Sequence, residues 1–146
     1  MKNIILTIAS FFMLSQIVAL PGDEKDTMSV FINSKVVGQF AVKIGEAGTF
    51  VIKKMAAKNI KNISIQIKGS LMSGPAYAKT LEITDKDPVV ITENKNHPGF
   101  FDITSPELKK KIAAGKKLSL KLVLNPANPQ MLMPSKFISL GTLEMK

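Results

Sequence analysis

Residues 117–125 read Lys117-Leu118-Ser119-Leu120-Lys121-Leu122-Val123-Leu124-Asn125. Leu118, Leu120, Leu122 and Leu124 recur at every second position against Ser119, Lys121 and Val123, and a side-chain period of two is that of a β-strand with one face in a core. Four leucines on a single face predict a strand at the centre of a sheet. The rest of the chain is read outward from it.

Toward the C-terminus, residues 125–136 form a Pro- and Met-rich connection that includes Met131-Leu132-Met133, and residues 137–146 predict the last strand. The phase of that strand slips: Ile138 and Leu140 share one face, whereas Leu143 and Met145 fall on the other. One extra residue, a β-bulge at Gly141, brings all four to the same side. Just before the leucine strand, Ser105-Pro106-Glu107 supplies a hydroxyl to cap a helix, a proline where no N–H is needed and an acid at the positive end. With Gly115 as its stop, a short helix near 106–114 is expected to bridge into the strand without forming a layer of its own.

Farther out the alternation continues. Met28, Val30 and Ile32 share a face, Asn33-Ser34-Lys35 marks a turn, and Val36, Gly38, Phe40 and Val42 face one way, which predicts a hairpin. Gly45-Glu46-Ala47-Gly48 turns the chain into a strand with Phe50 and Ile52 inward, and residues 54–59 read as a loop. Ile63, Ile65 and Ile67 stand opposite Asn62, Ser64, Gln66 and Lys68, as in a half-buried antiparallel strand. Residues 69–78 are a long connection holding Met72 and the only tyrosine, Tyr77. Short strands follow with Leu81 and Ile83, at 89–93 and at 100–103, and residues 94–99 form a turn containing the only histidine, His97. About seven to nine short two-faced strands, with no helix long enough to cover a parallel sheet, predict an all-β fold: an antiparallel immunoglobulin-like β-sandwich, with a small closed barrel as the alternative.

The first residues have a different character. Met1-Lys2-Asn3 is a short positive start, residues 4–14 are apolar, and residues 15–19 approach the small Ala19, the layout of a secretory signal peptide. The apolar run is about half of the roughly twenty residues that a membrane span needs. The expected organisation is therefore a signal peptide at 1–19, a flexible segment at 20–27 and one sandwich domain at 28–146, exported to the periplasm or the cell exterior and not membrane-spanning after processing.

Composition narrows the chemistry. The chain of 146 residues has no cysteine, which excludes disulfides, thiolate metal sites and thiol nucleophiles. All 20 basic residues are lysine, against 11 acids, for a formal charge of +9. Lysine lacks the planar fork that reads phosphates and guanine edges bidentately. The charge thus points to solubility or to loose attraction to an anionic surface polymer, and nucleic acid is not an expected partner.

If successive strands reverse direction, loops 44–48, 69–78, 94–99 and 125–136 collect at one pole, and 33–35, 54–59, 85–88 and 104–116 at the other. Loops on a rigid sandwich are common sites of binding. The first pole gathers Met72, Tyr77, His97, Met131 and Met133, the candidate binding residues, while the second is rich in lysine. His97 with Met131 and Met133 is also a soft-ligand set suited to Cu(I). Weaker ideas are His97 with Ser73 or Asp102 as a hydrolytic group, Glu93 and Asp102 as glycosidase carboxylates, and Asp85 with Asp87 as a calcium pair. Hydrolase and phosphate-binding motifs are missing from the sequence. The expected function is a non-catalytic binding or adaptor module with no cofactor, engaging a protein or an anionic surface polymer through its loop pole or an edge strand. A periplasmic copper-handling protein is the alternative, and a small hydrolase the third reading.

Overall fold

The computed structural model describes residues 25–73, 77–130 and 132–146. The expected signal peptide at 1–19 and the candidate residue Met131 lie outside them. Nine strands form the described chain: β1 (Thr27–Ile32), β2 (Lys35–Ala41), β3 (Gly48–Ile52), β4 (Ile63–Lys68), β5 (Tyr77–Thr84), β6 (Pro88–Thr92), β7 (Phe100–Ile103), β8 (Leu118–Pro126) and β9 (Lys136–Met145). One helix, α1 (Pro106–Ala113), precedes β8, and single 3-10 turns occupy Ala57–Asn59 and Ser70–Met72.

The strands make two sheets, ordered β2-β1-β4-β7 and β3-β9-β8-β5-β6. They share no strand, so the arrangement is a sandwich and not the closed barrel held as an alternative. The leucine strand β8 is the middle member of the larger sheet, and Leu118, Leu120 and Leu122 are at most 1% exposed. Facing them from the smaller sheet are Met28, Val30, Ile32, Ile63, Ile65, Ile67, Phe101 and Ile103, all within one buried cluster. The period of two thus located both inner faces.

Every pairing is antiparallel except β3 with β9, which run parallel. That departs from the wholly antiparallel expectation. After β2 the chain leaves the smaller sheet, so β3 joins the other sheet at its edge, and its direction is set by the crossing loop instead of by a hairpin. At this junction Gly141 sits at φ +137°, where a Cβ would collide with the backbone of Gly48. Leu120 faces Gly141 and Lys121 faces Ser139, leaving Leu140 as the extra residue of a bulge beside the predicted glycine.

A second bulge was not foreseen. Val30 faces Gly38 but Phe31 faces Val36, so Val37 is the extra residue in β2. The slip turns Val36 outward, 56% exposed, and packs Val37 against the core. Val36 was expected on the inner face with Phe40 and Val42, and simple alternation fails there because one residue has no partner. The hairpin turn itself is as expected: Asn33 and Ser34 both have positive φ, 52° and 66°, the conformation of a tight two-residue hairpin loop. The Asn33 side chain then ties this tip to the next connection, donating to the Asn59 carbonyl at 2.6 Å and accepting from Lys61 N–H at 2.8 Å.

The helix follows its sequence signals. Ser105 Oγ accepts from Leu108 N–H at 3.2 Å, Pro106 occupies the first turn, and Gly115 leaves the helix at φ +76°. Leu108 and Ile112, four residues apart, bury one stripe over the end of the core. At the other terminus of the domain, the last residues of the segment expected to be flexible are tied down. Asp26 accepts from Leu71 N–H at 2.9 Å and from Ser70 Oγ at 3.1 Å, and Thr27 already belongs to β1.

Candidate functional surfaces

A sandwich of two open sheets has two flanks where sheet edges meet, and here they differ. On one flank β2 and β3 come together, with the Phe40 and Phe50 rings 5.1 Å apart. Each ring lies over the glycine two residues before it, so a Cβ on Gly38 would stand 2.7 Å from the Phe40 ring and one on Gly48 3.1 Å from the Phe50 ring. These glycines let the rings lie flat and fill the flank. Edge β2 is also bulged and carries Lys35, two devices that discourage strand addition.

On the opposite flank β6 and β7 leave a groove of about 320 Å³, lined by Val89, Ile91, Thr92, Asn94, Asp102, Ser105 and Leu108 among others. The start of β7 is covered, because Asn94 N–H donates to the Phe100 carbonyl at 2.8 Å and the Asn94 amide donates to Asp102 at 2.8 Å. Strand β6 has no such cover. Glu93 N–H donates to the Lys79 carbonyl at 3.1 Å, which sets the alternation of the ladder. By that alternation Val89 and Ile91 bond to β5, and the N–H and C=O groups of Val90 and Thr92 point to the open side. Among the described residues, none of the backbone hydrogen bonds outside the ladders involves Val90 or Thr92. The sequence of β6, Pro-Val-Val-Ile-Thr, has no charge, and Val90 is 57% exposed.

A third surface lies on the outer face of the smaller sheet, a trough of about 350 Å³ with Phe31, Phe100 and His97 on its floor and rim. The Phe31 and Phe100 rings are 5.5 Å apart, and the His97 ring meets Phe100 edge-on at 6.2 Å. Its polar groups serve one another. Asp102 accepts from Ser64 Oγ and from the Asn94 amide, each at 2.8 Å, while Asn94 Oδ1 holds the turn by accepting from Asn96 N–H at 2.9 Å.

The strand directions sort the loops into the two poles that parity predicted. The candidate residues are nevertheless not alike. Met72 packs half-buried against the core, and Tyr77 opens β5 instead of lying in the preceding loop, with its ring beneath the Lys136 ammonium at 5.1 Å. Tyr77 pairs with Pro126 because β5 and β8 extend their ladder past the point where alternation is readable. His97 is exposed and turned to the outer trough, and Met133 is half-buried. Ser73 Oγ donates to the Ser70 carbonyl at 2.6 Å, Glu93 accepts from Gly99 N–H at 2.8 Å, and Asp85 pairs with Lys111 at 3.6 Å. Ser73, Glu93, Asp102 and Asp85 thus have structural partners, whereas Asp87 is exposed. Among the described residues no set of three His, Asp or Glu side chains converges as a metal site.

The other pole is strongly basic. Its loops, the adjoining strand ends and the chain end carry Lys35, Lys53, Lys54, Lys58, Lys61, Lys86, Lys109, Lys110, Lys111, Lys116, Lys117 and Lys146 against Asp85, Asp87, Glu107 and Glu144. Lys111 alone bridges both Asp85 and Glu107, at 3.6 and 3.4 Å, and Lys146 pairs with Glu144 at 3.7 Å.

Sequence reasoning missed the β6 edge and the outer trough. The signal for β6 was its five uncharged residues between Asp87 and Glu93, and the signal for the trough was Phe31, which alternation already placed opposite Val30 and Ile32. No family model, curated protein or solved structure matches this chain. No helix among the described residues is long and apolar enough to cross a membrane.

Proposed function

We propose that this chain is an exported, non-catalytic β-sandwich of immunoglobulin-like type that binds a protein partner by adding an extended segment of it to the free edge of β6. Export rests on the layout of residues 1–19. The immunoglobulin-like assignment draws support from three hairpins joined by connections that switch repeatedly between the two sheets. The observation that carries the binding mode is the β6 edge: uncharged, unbulged, with free main-chain groups at Val90 and Thr92 beside a groove that offers Val89, Ile91 and Leu108 to alternate side chains of an added strand. Of the two modes expected from the sequence, loop pole or edge strand, the edge is favoured because Met72 and Tyr77 spend much of their surface on the core.

The test is a photoreactive residue at position 90 in the exporting cell. Adducts with a second polypeptide are expected from the parent chain and from Lys121→Ala, and they are expected to vanish with Thr92→Pro. That substitution removes an N–H that does not bond to β5, and an edge strand tolerates it. Adducts that persist in a folded Thr92→Pro chain, or that contain only a second copy of this protein, would overturn the reading.

A further inference from the structure

The charge of the described chain is not spread evenly. Twelve of its lysines stand at the pole built by the 33–34, 53–62, 85–87 and 104–117 connections, with four carboxylates among them. The remainder of the described chain has seven lysines and five carboxylates. Three of the four carboxylates at the basic end are taken up by just two lysines, Lys111 and Lys146. Lys58, Lys86, Lys110 and Lys116 are exposed with no carboxylate partner. A field of one sign at one end of the domain orients it toward an anionic partner.

The shape and chemistry of this end select the kind of anion. Its connections contain no aromatic residue, so there is no platform on which a sugar ring or base could stack. The small pocket there, about 130 Å³, is lined by Asp85, Asp87 and Glu107 beside Lys111, and so offers no basic channel to follow a single polymer strand. The basic side chains are all lysines, point charges on flexible stems, drawn from three separate connections, the first residue of β2 and the residue after β9, across the ends of both sheets. Such a dispersed array of point charges, with no platform and no basic channel among them, suits a plane of delocalised negative charge.

We propose that this pole is a docking surface for an anionic phospholipid bilayer. The domain would stand with its strands along the bilayer normal, α1 and the 53–62 connection against the headgroups, and the loop pole with residues 94–99 and 126–135 facing away. No side chain needs to enter the hydrocarbon, since juxtamembrane lysines contribute individually through the surface potential. The β6 edge, running along the side of the sandwich, stays open in this pose, and the proposal holds whether or not that edge takes a partner.

The experiment is co-sedimentation of the mature protein with vesicles of equal phosphatidylglycerol and phosphatidylcholine, and with phosphatidylcholine alone. Binding is expected only with the anionic lipid and is expected to disappear at high salt. The triple variant Lys58→Gln, Lys86→Gln, Lys110→Gln should bind about a hundredfold more weakly, at roughly a fivefold loss per lysine. The matched variant Lys25→Gln, Lys68→Gln, Lys95→Gln loses the same net charge from the other end and should stay within about threefold of the parent. Circular dichroism confirms that both remain folded. Equal weakening of the two variants would mean that net charge and not this pole governs attachment. Retention on soluble polyphosphate without binding to the anionic vesicles would assign the pole to a polymer. Either result overturns the proposal.

Discussion

The two flanks of the sandwich solve the same geometrical problem in opposite ways. Where β2 meets β3, Phe40 and Phe50 lie across Gly38 and Gly48 with ring centres 5.1 Å apart and fill the middle of the flank, leaving a smaller groove of about 210 Å³ toward the 43–48 loop. Where β6 meets β7, a groove of about 320 Å³ lined by no aromatic ring lies between the edges. An edge that is only structural is filled, bulged or charged. The β6 edge is neither bulged nor charged along its five residues, and among its outward positions only Pro88 at its start lacks an N–H. The difference teaches that sealing a flank takes a bulky ring laid across it, and on the second flank Phe101 turns into the core and Phe100 to the outer trough.

On that contrast, substitutions on the filled flank should act on stability, and those of outward-facing residues along the β6 edge should act on binding. Phe50 is 4% exposed, so Phe50→Ala should lower unfolding free energy by about 3–5 kcal/mol in denaturant titration. A loss as small as that of a surface residue would mean the rings are ornamental and the two flanks equivalent. Gly38→Ala asks about the glycine instead of the ring: the added methyl meets the Phe40 ring at 2.7 Å and Ile52 at 2.9 Å, and the expected cost is about 1–3 kcal/mol. Combining Gly38→Ala with Phe40→Ala should recover only the part of the methyl's cost that the ring causes, since the contact with Ile52 remains.

Smaller effects belong to the open flank. Ser105 caps α1 at the rim of the groove, and Ser105→Ala should cost about 1 kcal/mol by leaving Leu108 N–H without its acceptor, read as a shift in thermal midpoint. Val90→Lys should be nearly silent, within about 0.5 kcal/mol, because its side chain is exposed beside Glu82 on the outer face. The same substitution charges the free edge and should abolish cross-linking to a partner strand from a photoreactive residue placed at position 92, which is exposed on the same edge. A large destabilisation by Val90→Lys would show that the flank is a structural element after all, and the comparison would collapse.

The inner faces of this protein were legible because each is a local property. Ile63, Ile65 and Ile67, or Leu118, Leu120 and Leu122, declare their side by spacing alone, as did the bulge beside Gly141, where Ile138 and Leu143 could not otherwise share a core. The bulge at Val37 was hidden because Val36 and Val37 are both apolar, so either phase reads as acceptable. The Gly-x-Phe spacing at 38–40 and again at 48–50 was visible, but its meaning required knowing that β2 and β3 become neighbours across two sheets. The same limit applies to the candidate site. His97, Met72, Tyr77 and Met133 were rightly sent to one end by strand parity, yet which of them face solvent depended on packing that spacing does not encode.

By itself, then, the sequence determined the strands, the capped helix, the absence of thiol chemistry and the sorting of loops and lysines to two ends, since all of these follow from period, turn chemistry and alternation of direction. Only the tertiary structure decided that β3 runs parallel to β9, that β2 and β6 end as edges, and that one flank is filled while the other stays open. Those outcomes depend on which distant strands pair. An N–H or C=O group carries no mark in the sequence of whether its partner will be another strand, a turn such as that of Asn94, or an open side.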